Sequence, residues 1–365
     1  MTTTTPISTH YEQFLHLLTR DTRDTRDTRD TRDTRDTGAT EDRSGPAARR
    51  DAPCARYGEQ VDASGATQAI VMSRDEWILN QIDLTLALGR LLSENDVVVS
   101  AVPYELSFVG AEMDRVIEMV GASVISVGTS GTICPMPRLL GLIEQYEVTA
   151  LVCAPSFAAE LAGLALARGQ RPQDTTIRTI VCVGEACSTE RLERIGAAWA
   201  ATTSTLYGTP TTPTAAVPCE HGALHLCEQR LRAEVLGGLR GELLLNGSPT
   251  GELVELRPAE RGCDCGAASR VLVPLGGLAA ALPGPGAPVS AVDVERIVFR
   301  HAELTPHFAC TVQDGAFHVT CAVAEAEAPA GGALQRAIRG EIGDALGVAA
   351  AVTVVDAKDW STATS

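Results

Sequence analysis

The chain has 365 residues, 45% hydrophobic and 21% charged, a balance that excludes a wholly disordered polymer and leaves room for two or three domains with sizeable cores. The net charge of -16 argues against a general nucleic-acid binder, which needs a basic face to neutralise phosphates. No apolar run reaches the ~18–20 residues that span a bilayer, and the opening MTTTTPISTHYEQF has neither a basic segment nor an apolar core, so neither a membrane anchor nor a secretory signal is expected. The eleven cysteines are scattered, with Cys153 and Cys182 inside apolar runs, and predict a reduced, cytoplasmic protein. Nearly all the basic charge is arginine, and the single lysine is Lys358.

Residues 1–20 can form a short amphipathic helix through Tyr11, Phe14, Leu15, Leu17 and Leu18. A perfect Asp-Thr-Arg repeat follows from Asp21 to Thr37, with alternating charge and nothing apolar to bury. Its composition cannot offset the entropy of ordering, so residues 1–55 are expected to be a disordered extension.

From residue 60 the pattern alternates between strand and helix. TQAIVMS reads as a strand, Arg74–Leu92 as a helix, DVVVSAVP as a buried strand, Gly110–Val120 as a helix and ASVISVG as a strand. Met136–Tyr146 reads as a helix, TALVCAP as a strand, Phe157–Arg168 as a helix and TIVCVGE as a strand. Continuous Val/Ile-rich strands are those covered on both faces, so the class is α/β with a mostly parallel sheet flanked by helices. Ligands of such sheets sit beyond the carboxyl ends of the strands. That rule gathers 103–108, 155–157, 184–187 and 207–214 around one crevice.

Beyond residue 215 the chain becomes β-rich, in GALHL, GELLLNG and GELVELR. The Gly- and Pro-rich stretch 275–290 reads as a linker. A helix over Val292–His301, strands at HFACTV and AFHVTCAVAE, a helix over Ala333–Leu346 and a last strand AAVTVVD predict a small α+β unit.

In order and spacing, SFVGAEMDRVIEMVGASVISVG, TALVCAPSFAAELA, VCVGEACS, LYGTP and PCEHGALHL resemble the adenylate-forming enzymes, specifically the phenylacetate–CoA ligase branch, over about residues 60–355. The resemblance implies a large α/β domain at 56–280 and a small, mobile α+β C-terminal domain at 281–365. It implies an enzyme that adenylates a carboxylate with MgATP and passes the acyl group to a thiol or amine. It also places the chain's start late, the region before the phosphate loop being short, and its end near where the family's catalytic-lysine loop would begin.

Five features of the family's ATP machinery are altered here. The phosphate loop falls on Asp62-Ala63-Ser64-Gly65-Ala66-Thr67-Gln68, where Ser64, Gly65 and Thr67 remain but the second glycine and the basic residue are missing. The Tyr-Gly-x-Thr-Glu motif is Tyr207-Gly208-Thr209-Pro210-Thr211, with Thr211 in place of the Mg²⁺-binding glutamate. The ribose-binding aspartate becomes Glu252 in Thr250-Gly251-Glu252, and the charged hinge becomes the uncharged run 276–280. Lys358 lies too close to the last strand to match the catalytic lysine and reads as a solvated tail residue. Together these changes make ordinary adenylation doubtful.

Cys219, His225, Cys263 and Cys265 form a set suited to a tetrahedral structural zinc, and the spacing resembles a zinc site found in part of the same branch. His221 is an alternative ligand, and four reduced residues that merely cluster is the alternative reading. The crevice keeps Tyr104, Phe108, Phe157 and Tyr207 as substrate-contacting candidates, with Glu105 and Glu185 as candidate acid–base groups.

Three functions stay open. One is a repurposed, ATP-independent enzyme of specialised metabolism, acting on a small acyl or aryl substrate or its thioester. The second is a residual ATP-dependent CoA or amide ligase. The third is a non-catalytic scaffold for a carrier protein or pathway partner. Expected partners are the small substrate and a carrier protein or CoA thioester, with no nucleic acid and no membrane; a homodimer is one open assembly state.

Overall fold

Four of the Val/Ile/Cys-rich segments read as strands from the sequence, and one more that is rich in Thr, build the central sheet. The computed structural model describes residues 54–61, 67–259, 263–324 and 328–360. The expected N-terminal helix, the Asp-Thr-Arg repeat and residues 62–66 of the expected phosphate loop lie outside the described residues.

An antiparallel hairpin comes first, strands β1 (Cys54–Val61) and β2 (Thr67–Ser73). Helix α1 (Arg74–Leu88) starts at a capping box in which Ser73 and Glu76 satisfy each other's backbone N–H groups. Next come β3 (Val97–Ala101), α2 (Val109–Val120), β4 (Ser123–Ser126), α3 (Met136–Gln145), β5 (Ala150–Cys153), α4 (Pro155–Ala167), β6 (Thr179–Cys182), α5 (Thr189–Trp199) and β7 (Thr202–Thr205). The five strands β3–β7 are parallel, in the order β4-β3-β5-β6-β7.

Successive residues of these strands enter separate cores. Val99, Leu151 and Ile180 meet α3, α4 and α5 on one face, around the fully buried Trp199. Val98, Val152 and Val181 meet α1 and α2 on the other. Burial on both faces explains the unbroken apolar runs in the sequence. The order of strands reverses between β3 and β5, the switch point at which such sheets open a crevice.

The β-rich stretch becomes a seven-stranded antiparallel sheet in the order β11-β12-β13-β14-β10-β9-β8. Its strands are β8 (Tyr207–Thr209), β9 (Thr212–Pro218), β10 (Leu224–Leu226), β11 (Ala233–Leu236), β12 (Arg240–Leu245), β13 (Ser248–Arg257) and β14 (Val271–Gly277). Strands β8 and β9 approach so closely that a Cβ on Gly208 would lie 1.9 Å from the Pro213 carbonyl oxygen, so only glycine fits there.

The expected linker at 275–290 is corrected at its start. Residues 275–277 complete β14, with Gly276 opposite Leu253 and Gly277 opposite Glu252. Leu282 and Val289 then bridge each other and bury their side chains in the C-terminal core. That core is built by α6 (Ala291–Val298), β15 (Leu304–Gln313), β16 (Ala316–Val323), α7 (Ala328–Leu346) and β17 (Ala350–Asp356).

Helix α6 is anchored by two arginines from earlier in the chain. Arg191 on α5 and Glu295 on α6 are 3% and 2% exposed and pair at 2.9 Å. Glu295 also accepts the backbone N–H of Ser188, while Arg191 Nε donates to the Pro306 carbonyl. Arg240 forks onto Asp293 and the Pro288 carbonyl. Removing one partner of a buried pair strands the other charge without water, at a cost of about 3–5 kcal/mol. Glu295→Ala is therefore expected to lower the stability read from urea unfolding by that amount, and Glu295→Gln, which keeps an acceptor for Ser188, by less.

Candidate functional site

The loop after β3 and the β1–β2 hairpin meet above the switch point. Gly58 packs so tightly that a Cβ would lie 2.4 Å from the Leu106 carbonyl oxygen, and Glu59 N–H donates to that same oxygen at 2.9 Å. Beneath them is a cavity of about 520 Å³, within the range of small-ligand sites. Its apolar wall comes from Ile70, Leu84, Val102, Phe108, Met113 and Leu206. Glu59, Glu112, Glu185 and Glu252 also line it, and no arginine, lysine or histidine does among the described residues.

Glu112 is the side chain missed at the sequence level. It lies on α2 with 1% of its surface exposed, both carboxylate oxygens buried, and Arg56 and the Gln81 amide facing them. Arg56 Nε stands 4.0 Å from Oε1, beyond hydrogen-bond distance. Burial pushes the carboxyl up to about 7 against the opposing pull of Arg56, the neighbouring Gln81 amide, Arg115 and Arg230. The available signal was positional: helical spacing puts Glu112 on the same face as Val109, Met113 and Val116, where an apolar residue is expected.

The sequence-level candidates separate into three groups. Phe108, Glu185, Gly208, Thr209 and Glu252 line the cavity. Glu185 accepts from both the backbone N–H and the hydroxyl of Ser156, at the start of α4. Thr209 Oγ1 accepts from the Thr212 N–H at 3.1 Å, which fixes the turn beneath the cavity lip. Burial of Glu252 raises its pKa.

A second group sits nearby without lining that cavity. Tyr207 borders a smaller adjoining space of about 100 Å³ that shares Glu185 and Glu252. Burial, and then Glu252, push its phenol well up, and its hydroxyl has no partner. The Tyr104 hydroxyl donates to Asp114 at 2.6 Å, so burial and that bond push it up to about 12 and make the ring a brace between β3 and α2. Thr67 is exposed, opposite Val61 in the hairpin.

The third group is elsewhere. Glu105 is exposed and outside the cavity wall, because the loop turns its position to solvent before Phe108 turns inward. Phe157 packs into the core beneath the parallel sheet instead of facing the crevice. Ser64 and Gly65 lie outside the described residues.

Cys219, His225, Cys263 and Cys265 come together as one cluster, their ligand atoms all within 4.8 Å of one another. The sulfurs of Cys219 and Cys263 are 3.4 Å apart, and Cys265 Sγ is 3.2 Å from His225 Nε2. Tetrahedral bonds of ~2.3 Å to sulfur span edges of about 3.8 Å, so a small shift outward would admit an ion. His225 is carried by β10 between β9 and β14, and its Nδ1 contacts the Ser269 carbonyl at 2.9 Å, which turns Nε2 towards the thiols. A backbone N–H at Ala267 draws the Cys265 thiol below its ordinary pKa, towards the ligating form. His221, the alternative ligand, is further out, with Nδ1 3.8 Å from Cys263 Sγ. Cys227 is buried in the core of the antiparallel sheet. The residues fit a divalent soft-ligand metal with a closed coordination shell.

No family model matches the chain, and no curated protein does. Solved structures do match, several ligases among them. A 2-hydroxyisobutyryl-CoA ligase in its postadenylation state, bound to 2-HIB-AMP, superposes with a TM-score of 0.69 at 15% identity, over 83% of this chain and 70% of that one. The same enzyme in the thioesterification state gives a TM-score of 0.55 at 16% identity, over 83% and 71%. The amide bond synthetase McbA from Marinactinospora thermotolerans gives 0.55 at 18% identity, over 80% and 63%. A benzoate CoA ligase from Burkholderia xenovorans LB400 gives 0.58 at 16% identity, over 80% and 63%. The chain has the adenylate-forming ligase fold.

Glu112 carries a pH signature of its own. Its pKa is raised on folding, from 4.5 to about 7, so the protonated form is the one the fold favours. The cost of burying the charge is absent below the unfolded value, grows between the two and is full above the folded one. Glu112→Gln should therefore raise the melting temperature at pH 8, by up to about 3 kcal/mol of stability, and leave it unchanged at pH 4; calorimetry at both pH values checks this.

Proposed function

We propose that the chain is a divergent member of the phenylacetate–CoA ligase-like branch of the adenylate-forming enzymes, and that it acts on a small acyl or aryl compound, or its thioester, without adenylating it. The observation that carries this reading is the charge of the cavity wall: four carboxylates and no cation among the described residues. Each carboxylate opposes a nearby phosphate charge by about 3 kcal/mol at 5 Å and an effective dielectric of 20. A ligand of several negative charges is accordingly the least suited occupant. Thr211 offers no charge for a Mg²⁺ ion, and it is exposed with its hydroxyl beside that of Thr209.

In this reading the large domain spans 56–280 and the small one 281–365, with the acid–base work assigned to Glu185 and Glu112. Glu185 is oriented by Ser156, and burial pushes the Glu112 carboxyl up to about 7, a range in which a proton can be both held and released. Glu105 has no part in it. Apolar residues around Phe108 hold the body of the substrate and exclude water. The acyl group would arrive as a CoA or carrier-protein thioester.

The metal is zinc, held by Cys219, His225, Cys263 and Cys265. Four protein ligands leave no position for a reacting water, so the ion supplies fold stability by tying the β9–β10 turn to the loop before β14. The sequence-level alternative, a residual ATP-dependent ligase, is favoured by one observation: Gly208, Thr209 and Glu252 still share the lip of the cavity.

Titration calorimetry with MgATP separates the two. No heat at several millimolar is expected, and binding in the micromolar to low-millimolar range would restore the ligase reading. Metal analysis of the purified protein should give one zinc per chain, lost in Cys265→Ser together with a lower melting temperature; a metal-free wild-type protein of unchanged stability would remove the zinc assignment.

A further inference from the structure

We infer that the outward face of α1 is a two-fold interface, on which a second copy of this chain packs its own α1 in the antiparallel sense. The inward face of the helix is fully engaged. Leu84 and Leu88 are buried in the core with Val98, Met113 and Val116, and Asn80 accepts a hydrogen bond from Arg230. At ~100° per residue the opposite side carries Asp75, Leu79, Ile82, Leu86 and Arg90 within an arc of about 80°. Leu79 is 42% exposed and Leu86 53%, with the half-buried Ile82 between them. A helix that buries asparagine and glutamine while turning two leucines outward has its amphipathicity reversed, and an exposed apolar stripe of this kind marks a contact surface.

The order of residues along the stripe selects the occupant. From Asp75 through Leu79 and Ile82 to Leu86 the spacing alternates as in the seam of a coiled coil, where two helices lie nearly side by side. The stripe reads acid, Leu, Ile, Leu, base, and so complements itself when reversed. In an antiparallel pair centred on Ile82, Leu79 meets Leu86 of the partner subunit and Asp75 meets Arg90 of the partner subunit. The two-fold axis repeats both contacts, as an isologous interface requires.

The terminal charges are free to do this. Glu76 is held in the capping box with Ser73, whereas neither Asp75 nor Arg90 has an ion pair or a side-chain hydrogen bond among the described residues. They cannot satisfy each other within one chain, because 15 residues of helix hold them about 22 Å apart. Gly89 keeps right-handed helical angles, so Arg90 continues the line of the stripe just past the last turn. A parallel pair would set Asp75 against Asp75 and Arg90 against Arg90, which like charges disfavour. A lipid surface is the poorer occupant, since membrane-lying helices flank their apolar face with many basic residues and this one offers a balanced pair. One helix pair is smaller than the ~800 Å² per partner of a standard interface, so the dimer is expected to be reversible at micromolar concentration.

Sedimentation velocity of the full chain from about 1 to 200 µM tests this, with a concentration-dependent monomer–dimer equilibrium as the expected result. Leu86→Glu should weaken the dimer at least about tenfold, with its melting temperature unchanged because the side chain is exposed. Leu166→Glu, on an equally exposed leucine of α4, should leave the dimer as it is. Asp75→Arg and Arg90→Asp should each weaken it at least about tenfold, since either change makes both charge contacts repulsive. An equal mixture of those two variants should dimerise again, because every charge contact in the mixed pair joins opposite signs. A monomer throughout the concentration range would overturn the inference. A dimer indifferent to Leu86→Glu would overturn the choice of face, and a mixture that stays monomeric would overturn the antiparallel pairing.

Discussion

Parallel pairing of five short strands is the constraint on which the rest of the structure depends. Parallel strands need crossovers, the crossovers become helices, and the helices cover both faces of the sheet. The residues of β3, β5 and β6 alternate between two apolar cores, and of these only Val97 is partly open to solvent. All the strands then end on the same side, and the loops that follow β3, β5 and β6 bring Phe108, Ser156 and Glu185 into one neighbourhood. The hairpin of β1 and β2 roofs this space, held by the contact of Gly58 and Glu59 with Leu106.

Within that frame, the electrostatics of the cavity set its chemistry. An ionised carboxylate in water is well solvated, and the same group on an apolar wall must find a partner or a proton. Glu112 pairs with Arg56 at 4.0 Å, the outer limit of an ion pair, and burial still raises its pKa. Glu252 and Tyr207 feel the same low-polarity surroundings, and burial raises both. The Cys/His cluster follows the opposite logic. It lies away from the cavity wall, draws its side chains from the β9–β10 turn, from β10 and from the loop before β14, and fixes its histidine through the Ser269 carbonyl.

Most of the fold was legible because strand periodicity and local burial coincide. TQAIVMS, TALVCAP and the helix over Met136–Tyr146 fall within two residues of their observed bounds. Less visible was α5, whose Arg191 and Arg194 mask its apolar face until their partners on the C-terminal segment are in place. The Cys/His cluster was legible from cysteine and histidine spacing and from the family resemblance, and the four side chains do come together. The cavity was harder. Glu105 stood out as an unusual residue in a loop, but loop residues carry no periodicity that says which way they face. Phe157 was drawn to the crevice by its place after a strand, yet its helix turns it into the core. Glu112 carried the opposite signal, a charge on an apolar helix face, which is visible only when the face is known to matter.

The arginine–glutamate pair beneath α6 also bears on how the chain is made. Its two members are 104 residues apart in sequence. At ~5–20 residues per second of synthesis, the parallel sheet with its final helix leaves the ribosome about 5–20 s before Glu295 does. During that interval Arg191 has no carboxylate to meet, and the surface that will receive the C-terminal helix is open. The newborn chain must therefore keep that patch hydrated, or covered by a chaperone, until its last quarter arrives.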